Sequence, residues 1–275
     1  MILEAAAKLN LCLYLGSRRD DGLHELVSLF QSLSISDRLA VTEAATDEVI
    51  CPGVDGPNLA AAALEALREH GWSRQPLRVE IEKRIPVAAG LGGGSADAAA
   101  LLQLADGEVP GIEEIAAGLG ADVPSQLRGG LALVGGAGEA TEPLPPPAGY
   151  ALVLIPAGEG LATADVYAEA DRLGLGRPRG ELRELRARLR EAASPGASPL
   201  DYAELLVNDL QPAAISLRPE IDAAMAALAD AGARRALVTG SGPTAFGLFS
   251  DLEEAERAAE ALLSKWADTM VATPR

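Results

Sequence analysis

A glycine-rich loop followed by a helical pattern stands out in the first half of the sequence. The stretch PVAAGLGGGSADAAA spans residues 86–100 and places four glycines within the five positions 90–94. Glycine permits positive φ and lets another group approach the backbone closely. Consecutive backbone N–H groups in such a loop, together with the positive end of the following helix, form an anion cradle. The sequence therefore predicts a phosphate-binding loop, with Ser95 capping the helix that follows.

Two common phosphate-binding motifs do not describe this loop. The Walker A motif requires a Gly-Lys pair, and none occurs anywhere in the chain. The dinucleotide-binding fingerprint requires a glycine where Ser95 stands, within a βαβ unit. A tight strand-to-helix connection needs only one or two glycines, so four of them favour a ligand. A second loop, TGSGPTAFGLF at 239–249, is either a hairpin turn or the other wall of the same site.

The composition restricts the class of protein. The chain has 275 residues, of which 48% are hydrophobic and 23% charged, as in a globular protein. A net charge of −17 argues against a general binder of nucleic acid or anionic membranes, but not against a local pocket for a small anion. Two cysteines and two histidines argue against a disulfide framework or a metal cluster. Because no secretory or membrane-spanning pattern is visible, we expect a cytoplasmic protein.

The predicted elements alternate between strands and helices. LEAAAKLNLCLYLGS and LRVEIEKRI have the alternation of strands, and the second runs straight into the glycine loop. The following alanine-rich segment predicts a helix, as does NLAAAALEALREH with Asn58 as its N-cap. GADVPSQL is typical of an irregular turn and GEATEPLPPPAGY of a linker. We therefore predict an α+β chain with two domains, 1–147 and 148–275.

Three motifs together resemble those of the GHMP small-molecule kinases, named for galactokinase, homoserine kinase, mevalonate kinase and phosphomevalonate kinase. They are AKLNLCLYL, the glycine loop and TGSGPTAF, in the order that the family has them. The resemblance covers essentially the whole chain. It implies the two-domain GHMP architecture, an active site in the cleft between the domains, and ATP as phosphoryl donor. It also implies that ATP lies against six residues: Pro86, Gly90, Gly92, Gly93, Gly94 and Ser95.

The first segment is similar to one branch of this family. It contains Lys-x-Asn-Leu, then Asp-Gly-x-His-Glu-Leu, then Leu-Phe-Gln, and LGADVP and GAGEATEPL match further on. That branch phosphorylates the 2-hydroxyl of a CDP-linked methylerythritol in the non-mevalonate route to isoprenoids. The resemblance therefore implies this substrate, with ATP and Mg²⁺. Ser95 is the one residue that we name as a metal ligand, because Mg²⁺ keeps several waters and binds largely through phosphates.

The resemblance assigns roles to four residues, and the two-residue period of the strand adds a fifth, Asn10. Lys8 and Asp122 match the family's catalytic lysine and aspartate, the aspartate being the proposed general base. Asn10 shares a strand face with Lys8 and would contact substrate or orient the lysine. His24 and Tyr167 match the positions that contact cytosine. Each also has a plain structural alternative: a snorkelling lysine, a turn-capping aspartate, a surface histidine or a core tyrosine.

Two positions depart from the family's pattern. Leu23 stands where the family commonly has a tyrosine that stacks on the cytosine. Ser125 and Gln126 stand where it often has an aromatic or apolar pair. Both departures concern the details of substrate recognition more than the chemistry.

The sequence leaves three functions open. They are a kinase for the CDP-linked substrate, a GHMP kinase for homoserine or an isoprenoid alcohol, and a nucleotide-binding protein without catalysis. The presence of both Lys8 and Asp122 counts against the last, because a silent binder needs only the glycine cradle. The sequence predicts a monomer or homodimer, with no nucleic-acid or membrane partner.

Overall fold

The computed structural model describes residues 1–54 and 56–275 and combines helices with strands. Six strands of the first half form one sheet. They are β1 (Ile2–Arg18), β2 (His24–Glu43), β3 (Glu48–Ile50), β4 (Leu77–Glu82), β5 (Leu131–Gly135) and β6 (Ala140–Pro143). The order across the sheet is β3-β4-β2-β5-β6, and β1 pairs with β2.

The long β1–β2 hairpin carries the first group of predicted site residues. The two strands are antiparallel, and their register shifts between Ala6 and Lys8 and again between Asn10 and Cys12. Such bulges change the direction of side chains and are common beside active sites. Lys8 and Asn10 lie between the two shifts, and both are buried.

Four helices pack against the first sheet through a largely aliphatic core. They are α1 (Leu59–Glu69), α2 (Gly93–Leu104), α3 (Ile112–Leu119) and α4 (Val123–Arg128). Asn58 caps α1 as predicted, since its side-chain oxygen accepts a hydrogen bond from the amide of Ala60 at 2.8 Å. β4 alternates between buried and exposed positions, which fixes the face that the helices cover. The glycine loop joins this strand to α2.

The second half contains a four-stranded antiparallel sheet in the order β10-β7-β9-β8. Its strands are β7 (Ala151–Pro156), β8 (Arg235–Val238), β9 (Thr244–Phe249) and β10 (Met270–Ala272). Its helices are α5 (Thr163–Leu173), α6 (Arg179–Ala192), α7 (Gln211–Leu217), α8 (Glu220–Asp230) and α9 (Leu252–Leu262), with a 3₁₀ turn at Ala203–Leu205. Across the described residues, no helix has the length and apolar character needed to cross a bilayer.

The two sheets share a hydrophobic core. Leu9 of β1 belongs to the same buried cluster as Leu152 and Phe246 of the second sheet. Burying such a side chain is worth roughly 1.5–3 kcal/mol, so the halves are held together by their cores. The predicted boundary at residue 147 falls between β6 and β7, and the division into domains there stays a prediction. The mixture of elements confirms the predicted α+β class.

Three local predictions were wrong. Ser95 does not cap its helix, because α2 begins two residues earlier, after Gly92, whose φ of +68° supplies the left-handed turn into the helix. The predicted turn GADVPSQL contains α4, since Pro124 suits the first turn of a helix. The predicted linker contains β6, an edge strand that pairs with β5 and tolerates its terminal proline.

Candidate active site

The glycine loop lies between two cavities, of about 750 Å³ and 320 Å³. The smaller is lined by all six predicted ATP-binding residues: Pro86, Gly90, Gly92, Gly93, Gly94 and Ser95. Gly90, Gly92 and Ser95 also line the larger cavity. A β-carbon on Gly92 would lie 2.8 Å from Cγ of Lys8, so the loop approaches the lysine as only glycine allows. The loop is therefore positioned to hold a group that reaches into both cavities.

The second glycine-containing loop closes against the first. Thr244 Oγ1 donates a hydrogen bond to the carbonyl of Ala89 at 2.7 Å. A β-carbon on Gly90, whose φ is +79°, would lie 2.6 Å from the carbonyl oxygen of Gly242. Ser241 of this loop lines the larger cavity. Of the two alternatives from the sequence, the geometry favours a wall of the site.

Lys8 and Asp122 face one another on the wall of the larger cavity. Nζ of Lys8 lies 3.2 Å from Oδ2 of Asp122 and donates a hydrogen bond to Oδ1 of Asn10 at 2.7 Å. The same ammonium lies 4.8 Å from the centroid of the Phe30 ring. The lysine side chain is 8% exposed and the aspartate 34%. Asp122 occupies the N-cap position of α4, yet its carboxylate turns to the lysine and the cavity rather than to the helix amides.

His24 and Tyr167 meet in the same cavity. Their ring centroids are 5.2 Å apart at an interplanar angle of 47°. Nε2 of His24 lies 2.7 Å from Oδ1 of Asp171, so a hydrogen bond to this carboxylate orients the imidazole ring. Burial, and secondarily the charge of Asp122, raises the pKa of Tyr167 to about 12. Its phenol therefore stays protonated at neutral pH and is able to donate a hydrogen bond.

Comparison with known proteins identifies the family. The model of the GHMP kinases N terminal domain matches residues 58–130, and that of the GHMP kinases C terminal matches residues 179–268. A 4-diphosphocytidyl-2-C-methyl-D-erythritol kinase of Pelotomaculum thermopropionicum is 39% identical over 267 residues, which cover 93% of this chain and 91% of that relative. This chain belongs to the GHMP kinase family.

Two further relatives agree with this assignment. A kinase of the same name from Streptomyces coelicolor is 40% identical over 92% of this chain and 89% of its own length. A crystal structure of 4-(cytidine 5'-diphospho)-2C-methyl-D-erythritol kinase superimposes with a TM-score of 0.82 at 34% identity, covering 100% of this chain and 99% of that one. The predicted family and its two-domain GHMP architecture are confirmed. The roles of single residues and the oligomeric state stay predictions.

The site of this GHMP kinase includes residues that sequence reasoning missed. Asp171 is one, although a signal existed: it lies four residues after Tyr167, on the same face of α5. Asn208 is another, and its side-chain amide donates to the carbonyls of Val238 and Gly240, each at 2.7 Å. It braces the second loop from an irregular segment whose sequence carries no periodic signal.

The GHMP kinase fold also places a buried charge cluster behind the glycine loop. Lys83, which follows β4, binds Asp37 and lies 2.8 Å from Oδ2 of Asp97 on α2. Asp37 additionally accepts hydrogen bonds from the amides of Arg84 and Ile85, at 2.6 and 2.8 Å. Burial raises the pKa of Asp97 to about 7, against the lowering effect of the Lys83 ammonium. This cluster fixes the start of α2 to the sheet.

Proposed function

We propose that this kinase transfers the γ-phosphoryl group of ATP to the 2-hydroxyl of 4-diphosphocytidyl-2-C-methyl-D-erythritol. Relatives of that name match nearly the whole chain. The observation that carries the proposal is the Lys8–Asp122 pair, 3.2 Å apart, beside the glycine loop. The pair shares one cavity with His24 and Tyr167, so a single elongated substrate can reach both ends.

ATP is expected to bind with its phosphates on the glycine loop. The loop offers backbone N–H groups, and α2 adds the positive end of its dipole. The base and ribose are expected in the 320 Å³ cavity, whose walls include Val54, Leu59 and Ile85. The two cavities meet at the loop, where both are lined by Gly90, Gly92 and Ser95. A terminal phosphoryl group bound at these residues would face the 750 Å³ cavity.

Asp122 and Lys8 divide the chemistry between them. The Asp122 carboxylate is one-third exposed and accepts the proton of the substrate hydroxyl. The hydroxyl oxygen bonds to the γ-phosphorus of ATP in the same step. The bond between that phosphorus and the leaving oxygen of ADP breaks in the same transfer. The Lys8 ammonium stabilises the negative charge that builds up on the transferring oxygens. Asn10 holds the ammonium in place through its 2.7 Å hydrogen bond.

The cytosine is expected at the His24 end of the cavity. When neutral His24 donates its Nε2–H to Asp171, its Nδ1 becomes a hydrogen-bond acceptor directed away from that carboxylate. Tyr167 packs against the same imidazole and supplies an aromatic surface for the base. Leu23, 55% exposed at this end, supplies an aliphatic surface in place of a second ring.

Mg²⁺ is expected to accompany ATP. Within the part of the chain that the structure describes, no group of three His, Cys, Asp or Glu side chains is placed to hold a metal. The fitting donor is the hydroxyl of Ser95, which lines both cavities beside the proposed phosphates. One protein oxygen suits Mg²⁺, which takes its other ligands from phosphates and water and, when bound, neutralises phosphate charge.

The proposal is tested by measuring ADP release with Mg-ATP and four acceptors. These are the CDP-linked methylerythritol, the free methylerythritol phosphate, homoserine and mevalonate. We expect turnover with the CDP-linked acceptor alone. Turnover with homoserine or mevalonate would keep the kinase and overturn the substrate. ATP binding with no turnover on any acceptor would instead indicate a catalytically silent protein.

A further inference from the structure

Gln126 connects the helix that carries Asp122 to the glycine loop. Nε2 of its half-buried side chain donates a hydrogen bond to the carbonyl oxygen of Gly92 at 3.0 Å. The same carbonyl accepts the first hydrogen bond of α2, from the amide of Ala96 at 2.9 Å. Gly92 lies on the wall of both cavities. The glutamine therefore holds the loop at the point where the proposed phosphates meet the proposed acceptor.

The orientation of the Gln126 amide is determined by this contact. Turning the amide over would set its oxygen against the carbonyl oxygen of Gly92, which is repulsive. In the orientation observed, Oε1 is buried and has no hydrogen-bond partner among the described residues. Leaving a buried acceptor unpaired costs free energy that an apolar side chain at this position would not incur. The hydrogen bond from the Gln126 amide to Gly92 offsets that cost.

The connection reaches the catalytic pair as well as the loop. Asp122 and Gln126 are four residues apart, at the start and in the first turns of α4, and so share one face of it. The hydroxyl of Ser125 donates to the carbonyl of Asp122 at 2.8 Å, which fixes the backbone there. On the other side, the amide of Lys8 donates to the carbonyl of Leu91 at 3.0 Å. Base, lysine and loop thus form one hydrogen-bonded unit.

We propose that Gln126 is a positioning residue that sets the distance between the Asp122 carboxylate and the glycine loop. The inference rests on the proposed function, in which phosphoryl transfer takes place between those two groups. The rate of such a transfer is sensitive to small displacements, because the reacting atoms must be held in line. Loss of the bond should therefore lower the rate of chemistry more than it lowers binding.

Gln126→Met tests this, with Gln103→Met as a matched control. Gln103, on α2, donates its Nε2–H to the carbonyl of Leu127 on α4 at 2.6 Å, so it joins the same two helices away from the cavity. We expect kcat of Gln126→Met to fall about tenfold, with KM for the CDP-linked substrate within about twofold of wild type. Gln103→Met should keep the kcat of wild type. Equal kcat for both variants, or equal losses in both, would overturn the proposal.

A substrate-independent readout separates this inference from the proposed function. Amide hydrogen exchange at residues 91–96 should become faster in Gln126→Met and stay unchanged in Gln103→Met. If the wild-type protein phosphorylated no acceptor, the proposed function would fail. The exchange measurement would still show whether Gln126 holds the glycine loop. Unchanged exchange in Gln126→Met would contradict the positioning role whatever the substrate.

Discussion

The chain holds two lysine–aspartate groups around one glycine loop, and they differ in what surrounds them. Lys83 is 15% exposed and binds Asp37 and Asp97, which are 0% and 4% exposed. Lys8 is 8% exposed, but its partner Asp122 is 34% exposed and lies on a cavity wall. Both carboxylates of the first group are buried, although Asp97 borders the smaller cavity. The second leaves a carboxylate available to a substrate.

The difference separates a structural charge cluster from a candidate catalytic pair. Asp37 has three hydrogen-bond donors from the segment that follows β4, so its charge is already satisfied. Asp122 has one cationic neighbour and access to the cavity. A buried ion pair is costly to break, whereas a pair whose carboxylate is one-third exposed to water should cost less. Replacing Lys8 should therefore lower activity, whereas replacing Lys83 should lower stability.

Of the two lysines, Lys8 should have the larger effect on activity when it is replaced. We expect Lys8→Met to lower kcat by about 10²–10³-fold, because it removes the cation that stabilises the transferring phosphoryl group. Its free energy of unfolding should change little, since water can solvate the remaining Asp122. Steady-state kinetics and urea unfolding on the same preparation check both. Lys265→Met, at the exposed third lysine, serves as the control and should match wild type.

Replacement of Lys83 should give the largest effect on stability. Lys83→Met leaves two buried carboxylates facing one another, which should cost about 3–5 kcal/mol of unfolding free energy. Protein that stays folded should keep a larger share of its kcat than Lys8→Met does. A stable Lys83→Met variant with a hundredfold loss of kcat would reverse the roles of the two groups. Two separate measurements on the Lys83→Met variant distinguish these results: its free energy of unfolding in urea, and its kcat at a low temperature where it stays folded.

Titration of Asp97 should sharpen the contrast. Burial and the charge of Asp37 raise its pKa to about 7, while Lys83 opposes them. The folded state therefore binds the Asp97 proton more tightly than the unfolded chain does. The stability that this proton confers is complete below about pH 4, the usual value for aspartate, and is lost as pH rises through about 7. Asp97→Asn should remove this decline, as unfolding measured from pH 4 to 8 would show.

Replacement of Asp171 should give the smallest effect. Asp171→Ala removes the partner of His24 and is expected to raise KM for the CDP-linked substrate about 3- to 10-fold, or ~1 kcal/mol. Its kcat should stay near that of wild type, because the histidine lies at the opposite end from the proposed transfer. Asp171→Asn keeps an acceptor for Nε2–H and should have a weaker effect. A fall in kcat with unchanged KM would place His24 in the chemistry.

Local sequence patterns predict much of the fold and of the candidate site. Alternation predicts β1 and β4, and four glycines before an alanine-rich run predict the cradle. The two-residue period of β1 places Lys8 and Asn10 on one face, as their 2.7 Å hydrogen bond requires. These features depend on neighbours within one element, so a sequence without coordinates carries them.

Other parts depend on segments that are far apart in the chain. Asp37, Lys83 and Asp97 come from β2, the end of β4 and α2, and no local pattern joins them. The short strands β3 and β10 form because longer strands pair with them, and their own three residues carry too little periodicity to be recognised. The sequence predicts a turn where α4 forms, because the six residues of this helix are too few to show a helical period.

The most direct test of the central claim is the kinetics of Asp122→Asn. Turnover of the CDP-linked substrate should fall by about 10²–10⁴-fold, while the Kd for ATP, measured by calorimetry on the same sample, should stay within about twofold. That result would place the proton acceptor at Asp122 and leave the glycine loop intact. Turnover within a few-fold of wild type would contradict the account, because the acceptor of the hydroxyl proton would then lie elsewhere.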